Sequence, residues 1–359
     1  MLETFHSLGV FALAVATVLP MSNAPFWWIR TLDFPRLQFF VLALLLITMQ
    51  FVFCDYQPLL HYCLLAVSGV IAAYHFSWIL PYTPLAPLEV KWSDFDKESE
   101  TIKILCANVL TPNRDSESLI KLIASCKPDV VLTVETNLWW QDQLEPIEKD
   151  YTHCVKWPLE NLFGMHLYSR LPLHEVEACY LVEDGIPSIH CEVELESGRR
   201  VLCHFLHPTP PVPEYAATST GRDAELIVVA KSVADENRPV IVAGDLNDVA
   251  WSTTTRLFRK LSGLCDPRIG RGLFNTFHAQ YWPIRWPLDH LFHSNHFTLR
   301  KLKRMPYFGS DHFALFTELT LEHQQKEDPP LQPTPEDEKL AEERTREAGV
   351  EVEDVPGQN

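Results

Sequence analysis

Six short stretches of this 359-residue chain end an apolar run in side chains able to bind a cation or move a proton. "ILCANVL" carries Asn108, "VVLTVET" carries Glu135, and "VLCHFLHP" carries His207. "VAGDLND" carries Asp245 and Asn247, "WPLDHLF" carries Asp289, and "GSDHFAL" carries Asp311 and His312. Carboxylates, amides and imidazoles are the groups of hard-cation binding and general acid–base chemistry. Around Asp245 the local logic is clearest. Val240 to Ala243 read as a buried strand after Pro239, and Gly244 lets the backbone turn. Asp245 and Asn247, two residues apart, then leave the sheet toward one side. An Asx turn, in which Asp and Asn cap their own backbone, accounts for any single stretch of this kind. Six in order within one region go beyond it.

Strand ends need strands. Short apolar runs recur from Thr101 to Leu321: "IKILCANVL", "DVVLTVE", "GMHLYSR", "SIHCEVEL", "RVLCHFLH", "PVIVAGDLN", "PLDHLFHS" and "DHFALFTEL". Ser116 to Cys126 and Gly221 to Asp235 have helical character between them. Many strands with few helices predict an α/β sandwich, two packed sheets flanked by helices.

The ends of the chain differ from this middle. Three apolar segments, about 5–20, 37–54 and 59–80, predict transmembrane helices; a bilayer core needs roughly 17–25 residues. The start Met-Leu-Glu lacks the positive region of a signal peptide, so the first segment reads as an uncleaved span. Trp27, Trp28, Arg30 and Arg36 between the first two segments resemble an interfacial aromatic belt beside a positive loop. With three spans, that loop shares a side with Lys91 and Lys97, whereas the opposite loop holds Asp55 and no Lys or Arg. The positive-inside rule then predicts a multi-pass protein of the inner (cell) membrane with its large domain in the cytoplasm. Residues 81–100 read as a linker. Residues 322–359 hold 12 acidic and 4 basic residues, −8 of the formal net charge of −17, and read as an acidic disordered tail. That charge argues against a generally basic nucleic-acid surface. Nine scattered cysteines without a C-x-x-C pair read as free thiols, and no protein partner is indicated.

In order and local context, G-D-x-N at Gly244 to Asn247, L-D-H at Leu288 to His290 and S-D-H at Ser310 to His312 resemble the endonuclease/exonuclease/phosphatase superfamily. This is the DNase I-like fold of exonuclease III-type nucleases, inositol polyphosphate phosphatases and bacterial sphingomyelinases. The resemblance covers about Thr101 to Leu321, and the apolar segments in front resemble a membrane-attached bacterial branch. It implies a Mg²⁺-dependent phosphoesterase (Mn²⁺ being the other candidate ion), with Glu135 as the main metal ligand and Asn108 and Asp311 completing or orienting the shell. Phosphodiester hydrolysis needs a cation against the phosphate charge and an aligned, partly deprotonated water. Asp245 suits the water, and Asn247 can donate to the phosphate. His207 and His312 are left to stabilise the transition state, with Asp289 orienting His312 as the family's Asp–His pair does.

Several residues have rival readings. Asn108 and Asp289 also fit turn or structural roles, and His204 competes with His207 from the opposite strand face. His290 and His293 read as ordinary histidines, Asp248 as a turn cap, and "YWPIRWP" (Tyr281 to Pro287) as packing rather than a substrate lip. Val134 stands where the family's nucleases often carry Gln, which weakens a nuclease-type hydrogen-bond network there. A nuclease-like activity on nucleic acid is the default the superfamily implies. Tethering to a bilayer makes a phospholipid headgroup or lipid-linked phosphate the second substrate class, and an inactive membrane-held scaffold the third reading.

Overall fold

The computed structural model describes residues 1–94, 97–322 and 331–357. Helices α1 (Leu2–Val18), α2 (Trp27–Arg30), α3 (Arg36–Phe53) and α4 (Pro58–Ile79) form the N-terminal region. With their flanking turns they give three stretches long and apolar enough to cross a membrane: Leu2–Ser22, Arg36–Phe53 and Pro58–Tyr82. Val10, Leu13, Ala43, Leu46, Ile71 and Ala72 make the seam between them. Leu45, Phe51, Val52, Leu59 and Val70 face outward, an apolar surface that water alone does not satisfy.

From Thr101 the chain forms β1 (Thr101–Asn108), α5 (Ser116–Cys126), β2 (Val130–Val134), α6 (Leu138–Leu144), β3 (His153–Trp157) and β4 (Met165–Ser169). There follow β5 (Leu173–Tyr180), β6 (Pro187–Glu194), β7 (Arg200–Leu206), α7 (Thr220–Ser232), β8 (Val240–Asp245) and α8 (Thr253–Ser262). The domain closes with β9 (Asp289–His293), β10 (Phe297–Arg304) and β11 (Leu315–Leu321). One sheet has the order β10-β11-β1-β2-β4-β3 and the other β5-β6-β7-β8-β9. Their inner faces meet in one core, with Ile104, Leu132 and Leu167 from the first and Ile189, Phe205 and Ile241 from the second. Helices α5 and α6 cover the outside of the first sheet, α7 and α8 that of the second. This is the expected α/β sandwich, and β2 and β8 are buried throughout and largely apolar, β8 up to Asp245 at its end, because both of their faces are covered.

The topology brings the site to one edge. β1 pairs in parallel with β2, and β7 with β8, so four strand C-termini point the same way. β9 runs antiparallel to β8 and sets Asp289 opposite Asp245, while β11 runs antiparallel to β1 and sets the segment before Leu315 beside the end of β1.

The C-terminal tail differs from its sequence reading. Residues 323–330 and 358–359 of it, like 95–96 of the linker, lie outside the described residues, but Pro335–Ala348 is a helix, α9. Thr334 caps it, with Asp337 returning the bond to the Thr334 backbone. Ala341, Val350 and Val355 join the cluster under α7, and Lys260 pairs with Asp337 at 2.5 Å. The acidic composition hid a few apolar residues spaced for one face, enough to dock a capped helix on a surface already built.

Candidate active site

Asn108 sits at the centre of the strand-end cluster. Its Nδ2 donates to Glu135 Oε1 at 2.7 Å and to Asp245 Oδ2 at 3.0 Å, tying the two sheets together. Its Oδ1 accepts from Leu110 N, which fixes the amide's orientation. Glu135 follows β2 with φ 62°, a left-handed conformation unusual for a non-glycine residue. Its Oε2 is buried without a hydrogen-bond partner.

Asp245, 1% exposed, ends β8. Gly244 before it has φ 150°, and a Cβ there would lie 1.9 Å from Leu206 O on β7. A side chain would push the strands apart. Asn247, φ 51°, donates its backbone N–H to Asp245 Oδ1 at 3.1 Å, so the Asx turn is present as well. Its Nδ2 donates to Pro208 O at 2.9 Å, which holds the segment after His207 against the site.

The histidines flank Asp245. His312 Nδ1 lies 2.8 Å from Asp289 Oδ2 and its Nε2 3.5 Å from Asp245 Oδ2, so an acid stands at each ring nitrogen. His207 Nε2 is 4.0 Å from Asp245 Oδ2, and its Nδ1 is buried without a partner. Burial pushes His312 toward neutrality, but Asp289 and Asp245 outweigh it and hold the imidazolium up to about 10. Burial prevails at His207 and lowers it to about 4, against the pull of Asp245. The site therefore pairs a charged and a neutral imidazole near neutral pH. Burial also lifts Glu135 to about 7, opposed by the Asn108 hydrogen bond and the His312 charge. Asp311 is half-buried, and its charge acts on Glu135.

Thus Asn108, Glu135, His207, Asp245, Asp289 and His312 converge, with Asn247 and Asp311 at the margin. Among the described residues, ligand atoms of Asp245, Asp289 and His312 also lie within 4.8 Å of one another, close enough to hold a cation. A protonated His312 already bonded to Asp289 disfavours that trio. The bare oxygen of Glu135, faced by the Asn108 amide, fits a hard cation better.

The rival histidines are elsewhere. His204 bonds His190 at 2.7 Å, His290 contacts Arg268 at 2.7 Å, and His293 bonds Ser294 O, all within the core. Asp248 caps locally at Val249 N and also pairs with buried Arg222 at 3.2 Å.

Sequence reasoning missed three supports. Arg222 Nη1 donates to Asn247 O at 2.9 Å and steadies that turn from α7. Ser310 donates to Asn108 O at 2.7 Å; its place in S-D-H was the available signal. Phe277 lays its ring 5.0 Å from that of His312, and nothing in its local sequence marked it. The "YWPIRWP" segment divides: Trp286 packs between Phe34 and Phe277, as expected, but Tyr281 and Trp282 are 56% and 77% exposed, so packing does not explain them.

Two mixed sheets with acids, amides and an Asp–His pair at one edge define a hydrolase of phosphoester bonds with a DNase I-like α/β fold. The chain belongs to the Endonuclease/Exonuclease/phosphatase family, whose model matches residues 105–312. Among solved structures, an endonuclease/exonuclease/phosphatase from Beutenbergia cavernae aligns at 18% identity over 62% of this chain and 72% of its own, TM-score 0.51. The human Nocturnin catalytic domain with bound sulfate anion aligns at 17% over 63% and 96%, TM-score 0.50. TDP2 from D. rerio, complexed with single-strand DNA product, aligns at 17% over 61% and 99%, TM-score 0.50. These likenesses show the shared fold. No curated protein matches the chain.

Proposed function

We propose that the protein is a membrane-anchored, divalent-metal-dependent phosphoesterase that hydrolyses phosphodiesters by direct attack of water. The carrying observation is the continuous polar series Asp289, His312, Asp245, Asn108 and Glu135, which ends in a buried carboxylate oxygen without a partner. Glu135, with Asn108 and Asp311, would hold Mg²⁺ or Mn²⁺, which when bound neutralises phosphate charge and polarises the P–O bond.

The protein's own groups do the rest. Asp245 orients the water and draws its proton, a role that burial and its raised proton affinity support. His312, charged and aimed by Asp289, donates toward the phosphoryl oxygens as charge grows on them. His207, neutral and with an unpartnered Nδ1, offers a second contact on the same side. The remaining N–H of the Asn247 amide is a third donor for the phosphate. Among the described residues, no serine or cysteine sits in a strained elbow that would suggest a covalent route. An inactive scaffold is disfavoured because every acid, amide and histidine of the motif set is retained. Nucleic acid is the substrate class that the superfamily implies, and the DNA product in the D. rerio TDP2 structure is consistent with it.

The test is hydrolysis of a bis-aryl phosphodiester by the purified full chain. Activity with Mg²⁺ or Mn²⁺, lost on chelation and restored by the ion, is expected; turnover unaffected by chelator would remove the metal role. We place the domain between residues 101 and 321 on the cytoplasmic side of the inner membrane, from the Arg30, Arg36, Lys91 and Lys97 distribution. A reporter joined at the C-terminus should be active only if it matures in the cytoplasm, and activity of a periplasm-dependent reporter would reverse the orientation.

A further inference from the structure

Both walls of the site mouth are fastened to the candidate membrane region. On one side, Phe277 packs against His312, and the chain from there runs to Pro283, whose carbonyl accepts from Gln38 Nε2 at 2.8 Å. Gln38 lies in the first turn of α3, so this bond pins the loop about 3 Å past the start of a candidate span. Trp286 of the same loop packs edge-on against Phe34, just before α3. On the other side, Phe163 contacts both the His207 ring at 5.4 Å and the Tyr215 ring at 5.5 Å. The segment after Tyr215 pairs with the loop between α1 and α3: Trp27 N donates to Ala217 O at 3.1 Å and Ser219 N to Pro25 O at 2.8 Å.

The rim so placed is aromatic and outward. Phe26, Trp28, Tyr215, Tyr281 and Trp282 are all exposed, and Ile284 beside them is too. Its arginines are engaged inward: Arg30 and Arg36 with buried Asp33, and Arg285 with the carbonyls of His278 and Ala279. A groove for nucleic acid neutralises phosphates with lysine and arginine, whereas tryptophan and tyrosine concentrate where a bilayer meets water.

We propose that this rim seats in the interfacial zone of the bilayer and that the site draws its substrate from the membrane, as a lipid whose phosphoester headgroup enters between the two walls. The inference rests on the phosphoesterase reading and sets a membrane lipid in place of nucleic acid, the class that the superfamily implies. Water adds to phosphorus, the P–O bond to one ester arm breaks, and that arm leaves as an alcohol.

The test uses the full chain in phosphatidylcholine vesicles, with Mg²⁺ and two chromogenic diesters that share a 4-nitrophenyl leaving group. One carries a methyl arm and stays in water; the other carries a hexadecyl arm and sits in the bilayer. A single-stranded oligonucleotide is the third substrate. The embedded diester should be turned over most efficiently. Trp282→Ala should lower kcat/KM for it about tenfold, the loss of one buried aromatic anchor, and leave the methyl diester unchanged. Quenching of tryptophan fluorescence by brominated phospholipid should diminish in Trp282→Phe. Preference for the oligonucleotide, equal Trp282→Ala effects on both diesters, or quenching that does not depend on Trp282 would each overturn the proposal. Failure to cleave even the methyl diester would instead sink the phosphoesterase reading, and the quenching measurement would still decide where the rim sits.

Discussion

Asp245→Asn is expected to reduce phosphodiester hydrolysis by about 10²–10⁴-fold, the range for losing a positioned general base. The substitution keeps the shape of the side chain at a position with no room, 1% exposed between Asn108 and two histidines. It removes the carboxylate that could take the proton of water. The fold should survive with a modest fall in Tm: burial already makes that charge unfavourable and the Asx-turn acceptor for Asn247 N remains as an amide oxygen, while the Asn108 Nδ2 bond to the other atom is lost. The measurement pairs a rate assay with a thermal melt: a large loss of rate at near-normal Tm supports the role, and retained turnover would remove it.

His312→Ala has the second largest expected effect, and it acts on two quantities. Turnover should fall by about 10²–10³-fold, as for loss of a preorganised charge-stabilising donor. Stability should fall as well, by roughly 3–5 kcal/mol, because Asp289 would stay buried with its ion-pair partner gone. A pH signature separates this from simple loss of packing. The folded protein holds the His312 proton up to about 10, well above the ordinary histidine value of 6.5. Its contribution to stability is therefore complete below about 6.5 and is lost as pH rises through about 10. Wild-type stability should decline across that interval, and the variant's should decline less. Equal slopes in denaturant titrations across it would show that the imidazolium is not held as described.

Strands β2 and β8 were visible because both faces are covered and each opens on three consecutive apolar residues, Val130 to Leu132 and Val240 to Val242. Strands β3, β5 and β10 were missed, and all three are sheet edges. Their half-exposed residues, including Lys301 and Lys303 on β10, carry little apolar signal and protect an open edge from mispairing.

The order of the polar strand ends, the family, and the three apolar segments are legible locally, because each is written in residues adjacent along the chain. Gly244 before Asp245 is an example: the turn and the acid are local facts. Which histidines belong together depends on how the sheets pair. His290 touches Asp289 in sequence yet points to Arg268, while His312, 23 residues away, takes the Asp289 carboxylate. Neighbours along a strand face opposite sides, so adjacency in sequence separates side chains that antiparallel pairing then joins to distant ones. The same holds for α9, docked on α7 by a handful of apolar residues, and for the aromatic rim. Exposure of Trp282 and its attachment beside α3 depend on surfaces more than two hundred residues apart, and no local pattern encodes such a meeting.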